Sequence, residues 1–407
     1  MSIEVRSTRP DELRQAADVV TISLMAPLPT DEVWERRGAS WREMPSLTAW
    51  DGDRCVGHAG RFPVDTVVPG GARLATAAVT RVGVLPTYRR RGVATRLMED
   101  LIASSVREGD VLMSLRASET PIYGRYGFGL AGDSANLDID VDRARPLRRI
   151  DDGGFFALLG PDEVLDTIPP LYDSVALRRP GVIRRPTDAW WRRRFETVLE
   201  RSAASFVVIH HDTEGRADGY VSYTTRWNDD RPDEAPTGRG SVHDLFGVDD
   251  RVELALWQYL LDVDLVTNWR AEGRPVDDPV RLAAADHRAV RIRAIDDEQW
   301  LRLVDVETAL GRRGYAAARG SITIGVRDRQ IAANNGSWRI TADGSERTDA
   351  DPDLVLDVAA LSALYLGGRS WRTAAAIGDV DVAVPSAPEV ADRLFGVSTA
   401  PFCGTFF

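Results

Sequence analysis

Arg89-Arg90-Arg91-Gly92-Val93-Ala94-Thr95 follows the apolar run Val82-Gly83-Val84-Leu85 and the turn Pro86-Thr87-Tyr88. These residue types suit an anion. A helix that opens at Gly92 leaves its first backbone N–H groups without internal partners, and its dipole adds partial positive charge there. Gly92 and Ala94 are small, so a pyrophosphate can approach the backbone, and three arginines supply charge at the mouth. A basic helix start with solvated arginines fits the same residues. A second segment, Arg116-Ala117-Ser118-Glu119-Thr120-Pro121-Ile122-Tyr123-Gly124-Arg125-Tyr126-Gly127-Phe128, brings two phenols close together. A phenol, with a pKa near about 10, can act as a proton donor. Tyr123, Tyr126 and Tyr88 are the candidates, and packing in a turn is the plainer role for each. The tail Thr399-Ala400-Pro401-Phe402-Cys403-Gly404-Thr405-Phe406-Phe407 is apolar, and an apolar terminus usually docks.

These groups need a scaffold, and the first third of the chain alternates strand and helix patterns. Leu13, Ala16, Ala17 and Val20 keep helical spacing after Pro10. Ser46 to Asp51 and Arg54 to Gly60 read as strands around Asp51-Gly52-Asp53. Val64 to Val68 and Ala72 to Val84 flank Pro69-Gly70-Gly71 and predict an antiparallel hairpin. From Gly92 to Arg107, Val93, Ala94, Leu97, Met98, Leu101 and Ile102 share one helix face. Val111 to Leu115 is a buried-type strand.

The Arg- and Asp-rich stretch from Asp140 to Gly154 is a domain boundary, and residues 155–288 faintly repeat the same order of elements. There Leu165 to Arg178, Trp190 to Leu199 and Val252 to Leu265 predict helices; Phe206 to His211 and Gly219 to Thr225 predict strands. Trp190-Trp191-Arg192-Arg193-Arg194 fits a helix with one apolar and one solvated face better than a nucleic-acid site. In the last third, Trp300, Leu303, Val304 and Val306 to Leu310 suggest a helix. Gly320 to Val326, Arg329 to Asn334 and Gly336 to Thr341 predict three strands. Leu354 to Val358, Ala359 to Leu366, Ser370 to Ala376 and Pro388 to Phe395 predict strand, helix, helix, helix.

Composition narrows the function classes. At about 150 residues per domain, 407 residues imply two or three domains, and 43% apolar residues fill their cores. Two cysteines, Cys55 and Cys403, exclude a disulfide scaffold. No apolar run is long enough for a transmembrane helix and no signal segment opens the chain, so a soluble, cytoplasmic protein is expected. A net charge of −11 argues against a nucleic-acid partner and suits a cationic small substrate. All 51 basic residues are arginine, which excludes Schiff-base chemistry and a Walker-type loop. His210 and His211 point to opposite faces of a strand, and His58, His243 and His287 lack spaced partners, so no metal site is expected. Both cysteines are expected to be buried, with Cys403 reactive if its surroundings are open.

Arg89, Gly92 and Ala94 in Arg-x-x-Gly-x-Ala after an apolar strand resemble the acetyl-CoA site of the GNAT acyltransferases. The Ala-Ser-Glu…Ile-Tyr-Gly-Arg-Tyr-Gly-Phe run narrows the resemblance to the Eis (enhanced intracellular survival) subfamily of N-acetyltransferases. The resemblance implies a mixed α/β and α+β fold: two tandem GNAT-like domains, residues 1–145 and 146–288, and a sterol-carrier-like α+β domain, residues 289–407. It implies a CoA motif in the first domain only, with acetyl-CoA contacts from Val82, Gly83, Val84, Arg89, Arg90, Arg91, Gly92, Val93, Ala94, Thr95, Ser118 and Glu119. It makes Tyr123 the general acid and the carboxylate of Phe407 the general base. A free α-carboxyl is a poor base at about 3.5, and burial beside Phe402 and Phe406 would raise it.

The tail departs from the family where an acidic side chain is replaced by Phe406, which weakens the case for polycationic acceptors. Trp34, Trp41 and Arg81 are candidates for the acceptor pocket, Arg81 requiring an acidic neighbour such as Glu119. The implied acceptors are aminoglycoside-like compounds, polyamines or peptide lysines; the implied assembly is a homo-oligomer, a hexamer. The alternative is an acetyl-CoA sensor whose C-terminal third binds an apolar ligand between the Ile322 to Ile340 strands and the Leu354 to Ala376 region.

Overall fold

The computed structural model describes residues 3–148, 153–228 and 237–407. The chain divides into two compact units. The first comprises Met1–Gly132, Ile183–Trp190 and Asp297–Phe407; the second comprises Asp133–Val182 and Trp191–Asp296. Part of the boundary candidate between Asp140 and Gly154 lies outside the described residues.

The first unit opens with β1 (Glu4–Ser7), α1 (Leu13–Ser23), α2 (Asp31–Arg37), α3 (Ala39–Arg42), β2 (Ser46–Asp51), β3 (Arg54–Val67), β4 (Arg73–Val84), α4 (Val93–Glu108) and β5 (Leu112–Leu115). Strands β1 to β4 form an antiparallel meander, and β5 joins β4 in parallel. A right-handed helical crossover is the usual way to join parallel neighbours, and α4 fills that role. The hairpin turns at Gly70 and Gly71, both with positive φ, as Pro-Gly-Gly predicts. Helix α4 buries Val93, Leu97, Met98, Leu101 and Ile102 against Val56, Ala77 and Met113.

The second unit holds most of β6 (Gly129–Asp140), then α5 (Val141–Ala144), β7 (Phe155–Leu158), α6 (Val164–Val175), most of α7 (Asp188–Arg194), α8 (Glu196–Leu199), β8 (Ser205–His211), β9 (Ala217–Trp227), β10 (Gly238–Gly247), α9 (Asp250–Leu261), β11 (Val266–Pro275), α10 (Val280–Ala283) and the start of β12 (Val290–Leu303). Its sheet order is β6-β11-β10-β9-β8-β7, with β10 and β11 parallel around α9. The faint repeat is therefore a second strand–helix–strand crossover. Trp190 to Leu199 is two helices, not one, broken where Phe195 leaves helical geometry with ψ near +17°.

The C-terminal part of the first unit contains α11 (Val306–Arg312), β13 (Ile322–Arg327), β14 (Gly336–Thr341), β15 (Gly344–Thr348), β16 (Leu354–Asp357), α12 (Val358–Leu364), α13 (Trp371–Ile377), β17 (Val380–Val382) and α14 (Ala387–Phe395). Its five-stranded sheet runs β15-β14-β13-β16-β17. Two expectations fail here. Trp300 and Leu303 lie on β12, paired with β5, and the helix begins only at Val306, capped by Asp305. Residues 329–334 are not a strand: the Asp328 carboxylate accepts the N–H groups of Gln330 and Ile331 and the Asn334 amide, folding the segment into a turn. The residues named as walls of an apolar cavity belong to one hydrophobic core. Ile322, Ile324, Trp338, Ile340, Leu354, Leu356, Leu361, Tyr365 and Trp371 are all buried in one cluster.

Candidate active site

Strand β4 outruns its parallel partner. Pairing with β5 covers Thr76 to Val79 against Leu112 to Leu115, and residues 80–84 extend past the end of β5. On the other side β4 stays paired with β3 as far as Val84, with a register shift at His58/Gly60. Arg81 sits at that irregularity with φ 55°. The half-buried Val82 and Val84 alternate along the protruding strand, as strand geometry requires. Gly83 does something else: a Cβ there would meet Ser23 Oγ at 2.3 Å and Val20 Cα at 3.1 Å, so the glycine lets α1 lie against the strand.

Beyond β4, Arg89, Arg90 and Arg91 are exposed, and Arg91 stacks on Tyr88 at 5.0 Å. Gly92 is the N-cap of α4 with φ 78°; a Cβ there would meet nothing within 4 Å. The glycine therefore serves the left-handed backbone, and the space above it is open. The first intrahelical bond runs from Arg96 N–H to Gly92 C=O, which leaves the N–H groups of Val93, Ala94 and Thr95 for an outside acceptor. The Thr95 hydroxyl is 3.1 Å from the Tyr126 hydroxyl. That contact engages Tyr126 at the helix.

Tyr123 sits on the turn after β5, 6% exposed, edge-on to Phe128 at 6.1 Å. Burial raises its pKa above the usual tyrosine value, with Glu119 and Tyr126 adding to the shift and the Ser118 side chain opposing it. Ser118 and Glu119 are exposed at the same turn. The turn is fixed from below by Arg302, fully buried, which donates from Nε to Tyr126 C=O at 3.0 Å and from Nη2 to both oxygens of Asp328.

The acceptor-pocket candidates come together. Trp34 and Trp41 are 6.2 Å apart, and Trp41 lies 5.2 Å from His58. The Arg81 guanidinium stacks 4.3 Å from Trp41 and donates to Ser40 C=O at 2.9 Å and to Ser40 Oγ at 2.8 Å. Ser40 and the indole take up part of this charge. Trp41 and Phe407 both pack on Met44, Phe62, Val64, Ala78, Ile183 and Cys403. The last residue of the chain thus reaches the same apolar cluster as the acceptor candidates.

Sequence reasoning missed the residues that fasten the tail. Glu298 on β12 accepts the N–H groups of Cys403 and Gly404 at 2.9 and 3.1 Å, and lies 3.5 Å from Arg116. Arg185 donates to Gly404 C=O and Thr405 Oγ1, and Trp190 Nε1 donates to Phe406 C=O at 2.9 Å. No sequence signal marked them: Glu298, Gln299 and Arg302 are all buried on β12, but that strand is rich in exposed charged residues too. Cys403, expected to react if exposed, is fully buried and its thiol is pushed up to about 12, mainly by desolvation. Cys55 is likewise buried and pushed up to about 11.

The second unit fills its equivalent places with its own charges. Asp249 caps α9 and accepts the N–H groups of Arg251 and Val252. The buried Arg274 of β11 donates to Leu245 C=O of β10 and pairs with Glu253 and Asp278. An anion approaching that helix end would meet carboxylates. Among the described residues, no group of three or more His, Cys, Asp or Glu side chains is placed to hold a metal ion, and no helix is long and apolar enough to cross a membrane.

Comparison with known proteins bears on the family and the fold. Residues 4–131 and 181–303 each match a family model described as an acetyltransferase (GNAT) domain, and residues 306–404 match a sterol carrier protein domain. The chain is 33% identical to an uncharacterised N-acetyltransferase of Streptomyces griseus over all of both proteins. It is 29% identical to the N-acetyltransferase Eis of Mycobacterium tuberculosis, over 85% of this chain and 86% of that one. The crystal structure of Eis1 from Mycobacterium abscessus superposes with a TM-score of 0.88 at 35% identity, covering both chains fully. A GCN5-related N-acetyltransferase from Anabaena variabilis shares the fold at TM-score 0.84 and 19% identity.

Proposed function

Because the chain belongs to the Eis-type GNAT N-acetyltransferases, we propose that it moves the acetyl group of acetyl-CoA to an amine on a cationic small molecule, with Tyr123 as acid and the carboxylate of Phe407 as base. The observation that carries this reading is the tail. Phe407 packs on the Met44–Phe62 cluster that also seats Trp41, beside the strand that outruns β5.

The residues fit acetyl-CoA in two places. The N–H groups at the start of α4 and the exposed Arg89–Arg91 run suit its phosphates. The protruding backbone around Val82 and Val84 offers amide groups to an extended pantetheine arm. Gly83, Val93, Ala94 and Thr95 shape that surface, and Ser118 and Glu119 flank Tyr123.

In the transfer, the amine nitrogen forms a bond to the acetyl carbon while the C–S bond breaks. The amine loses its proton to the Phe407 carboxylate, and the sulfur receives one from Tyr123. Burial keeps the Tyr123 phenol protonated at neutral pH, so a donor is present when the sulfur leaves. The homo-hexamer implied by the resemblance and the cytoplasmic location expected from the sequence belong to the same proposal.

The test is thiol release from acetyl-CoA with polyamines, aminoglycosides and Lys peptides as acceptors. The native protein is run beside one with a few residues added after Phe407. Activity in the native form that disappears on extension supports the transferase and its terminal base. Turnover that survives extension removes the terminal base; silence from both forms removes the proposed acceptors.

A further inference from the structure

Glu298 is 1% exposed on β12, and both of its oxygens are engaged by the tail. Oε2 accepts from Cys403 N–H at 2.9 Å and Oε1 from Gly404 N–H at 3.1 Å. Oε1 also lies 3.5 Å from Arg116 Nη1. Arg116 directly follows β5 and opens the segment that carries Ser118, Glu119 and Tyr123. Its guanidinium covers the ring of Phe406 at 5.2 Å. One buried carboxylate therefore joins the segment that ends in Phe407 to the segment that bears the phenol.

We propose that Glu298 is a positioning residue for acyl transfer: it holds the tail and, through Arg116, the Tyr123 loop in one fixed relation. The proposal rests on the reading that the Phe407 carboxylate is the base. The chemistry calls for a carboxylate. Two backbone N–H groups and a guanidinium converge here, and an ionised carboxylate is acceptor-only on both oxygens. A glutamine has one acceptor oxygen and would turn its own N–H groups toward a donor. Burial makes the arrangement cooperative, because lifting the tail would leave a buried charge with fewer donors. Only Gly404, Thr405 and Phe406 separate Cys403 from Phe407, so a shift at the clamp passes directly to the terminal carboxylate. Arg185 and Trp190 donate to the carbonyls of Gly404 and Phe406, which adds two restraints on the same stretch of tail.

The experiment uses the full chain with Glu298→Gln and Glu298→Ala, each in the native-length and the extended protein. Three quantities are read: kcat, KM for acetyl-CoA, and the rate at which a carboxypeptidase removes Phe407 and Phe406 from the folded protein. Misplacement by about 1 Å is enough for a loss on the order of 10²-fold in kcat. That is the expected effect of Glu298→Ala, with a smaller loss for Glu298→Gln, which keeps the volume and one acceptor if the alanine variant fails to fold. KM for acetyl-CoA should change far less than kcat, since the α4 phosphate site is untouched and only the Ser118–Glu119 turn is disturbed. Tail release should accelerate in both variants. Extension lowers turnover to a residual rate, and from that rate the substitutions should cost nothing further, because the carboxylate is already displaced. Equal proportional losses in both backgrounds, or an unchanged release rate, overturn the role of Glu298. Full activity of the extended parent overturns the terminal base instead, and the release rate still decides whether Glu298 holds the tail.

Discussion

Burial pushes Tyr123 up and His58 down, so each stays uncharged. For Tyr123, the proposed acid, this keeps a proton available for the leaving sulfur. Removing the hydroxyl in Tyr123→Phe should lower kcat by about 10² or more, with little change in the affinity for acetyl-CoA, read by steady-state kinetics beside equilibrium binding. His58 lies 2.7 Å from the carbonyl of Arg81 through Nδ1. A carbonyl only accepts, so Nδ1 carries the proton and donates. Desolvation lowers this imidazole to about 4, against an ordinary 6.5. Between those values the unfolded chain binds more protons than the folded one, so this group makes stability fall as pH drops from about 6.5 towards 4. His58→Gln should flatten that part of the curve. Urea midpoints at several pH values check it, and identical pH slopes for both proteins count against the assignment.

Two glycines of the site show what sequence conveys about an element and what it leaves out. Gly92 reads as a helix start, and its φ of 78° at the N-cap of α4 agrees. Gly92→Ala should cost about 1–2 kcal/mol from left-handed strain alone, measured by denaturant unfolding, since no neighbour blocks the new methyl. Gly83 stands in the same motif for a different reason, the approach of Ser23 and Val20 on α1. Gly83→Ala must therefore shift α1, and should raise KM for acetyl-CoA as well as lower stability by about 1–3 kcal/mol. A variant with unchanged KM would show that α1 adjusts without disturbing β4. Local pattern was enough for α4, the β3–β4 hairpin and the tail's docking. It failed at Trp300 and Leu303, whose spacing also suits a helix, because pairing with β5 is a contact across the sequence. It could not find Glu298 or Arg185, whose roles appear only when the tail is in place.

Across the first unit, one buried pair ties the C-terminal part to the turn that carries Tyr123. Arg302 holds the Tyr126 carbonyl, and Asp328 holds Arg302 at 3.0 and 3.1 Å. Desolvation lowers the pKa of the guanidinium, and its carboxylate partner opposes that shift. Asp328→Ala leaves an unpaired buried cation and also frees the Gln330, Ile331 and Asn334 donors. A loss of about 3–5 kcal/mol is expected, visible as a lower Tm, with activity at low temperature falling through the Tyr123 turn. Wild-type stability in that variant would place the support of the turn elsewhere.

Around the site, the stacked cations Arg81 on Trp41, Arg116 on Phe406 and Arg185 on Trp190 are all guanidiniums. Built from lysine, the same surface would set primary amines beside an activated acyl donor. Guanidinium nitrogens stay protonated and share their lone pairs across the plane, so they do not compete as nucleophiles. With no lysine anywhere in the chain, the protein offers no ε-amine to the proposed acyl donor, and lysine acetylation cannot neutralise charge at the proposed site.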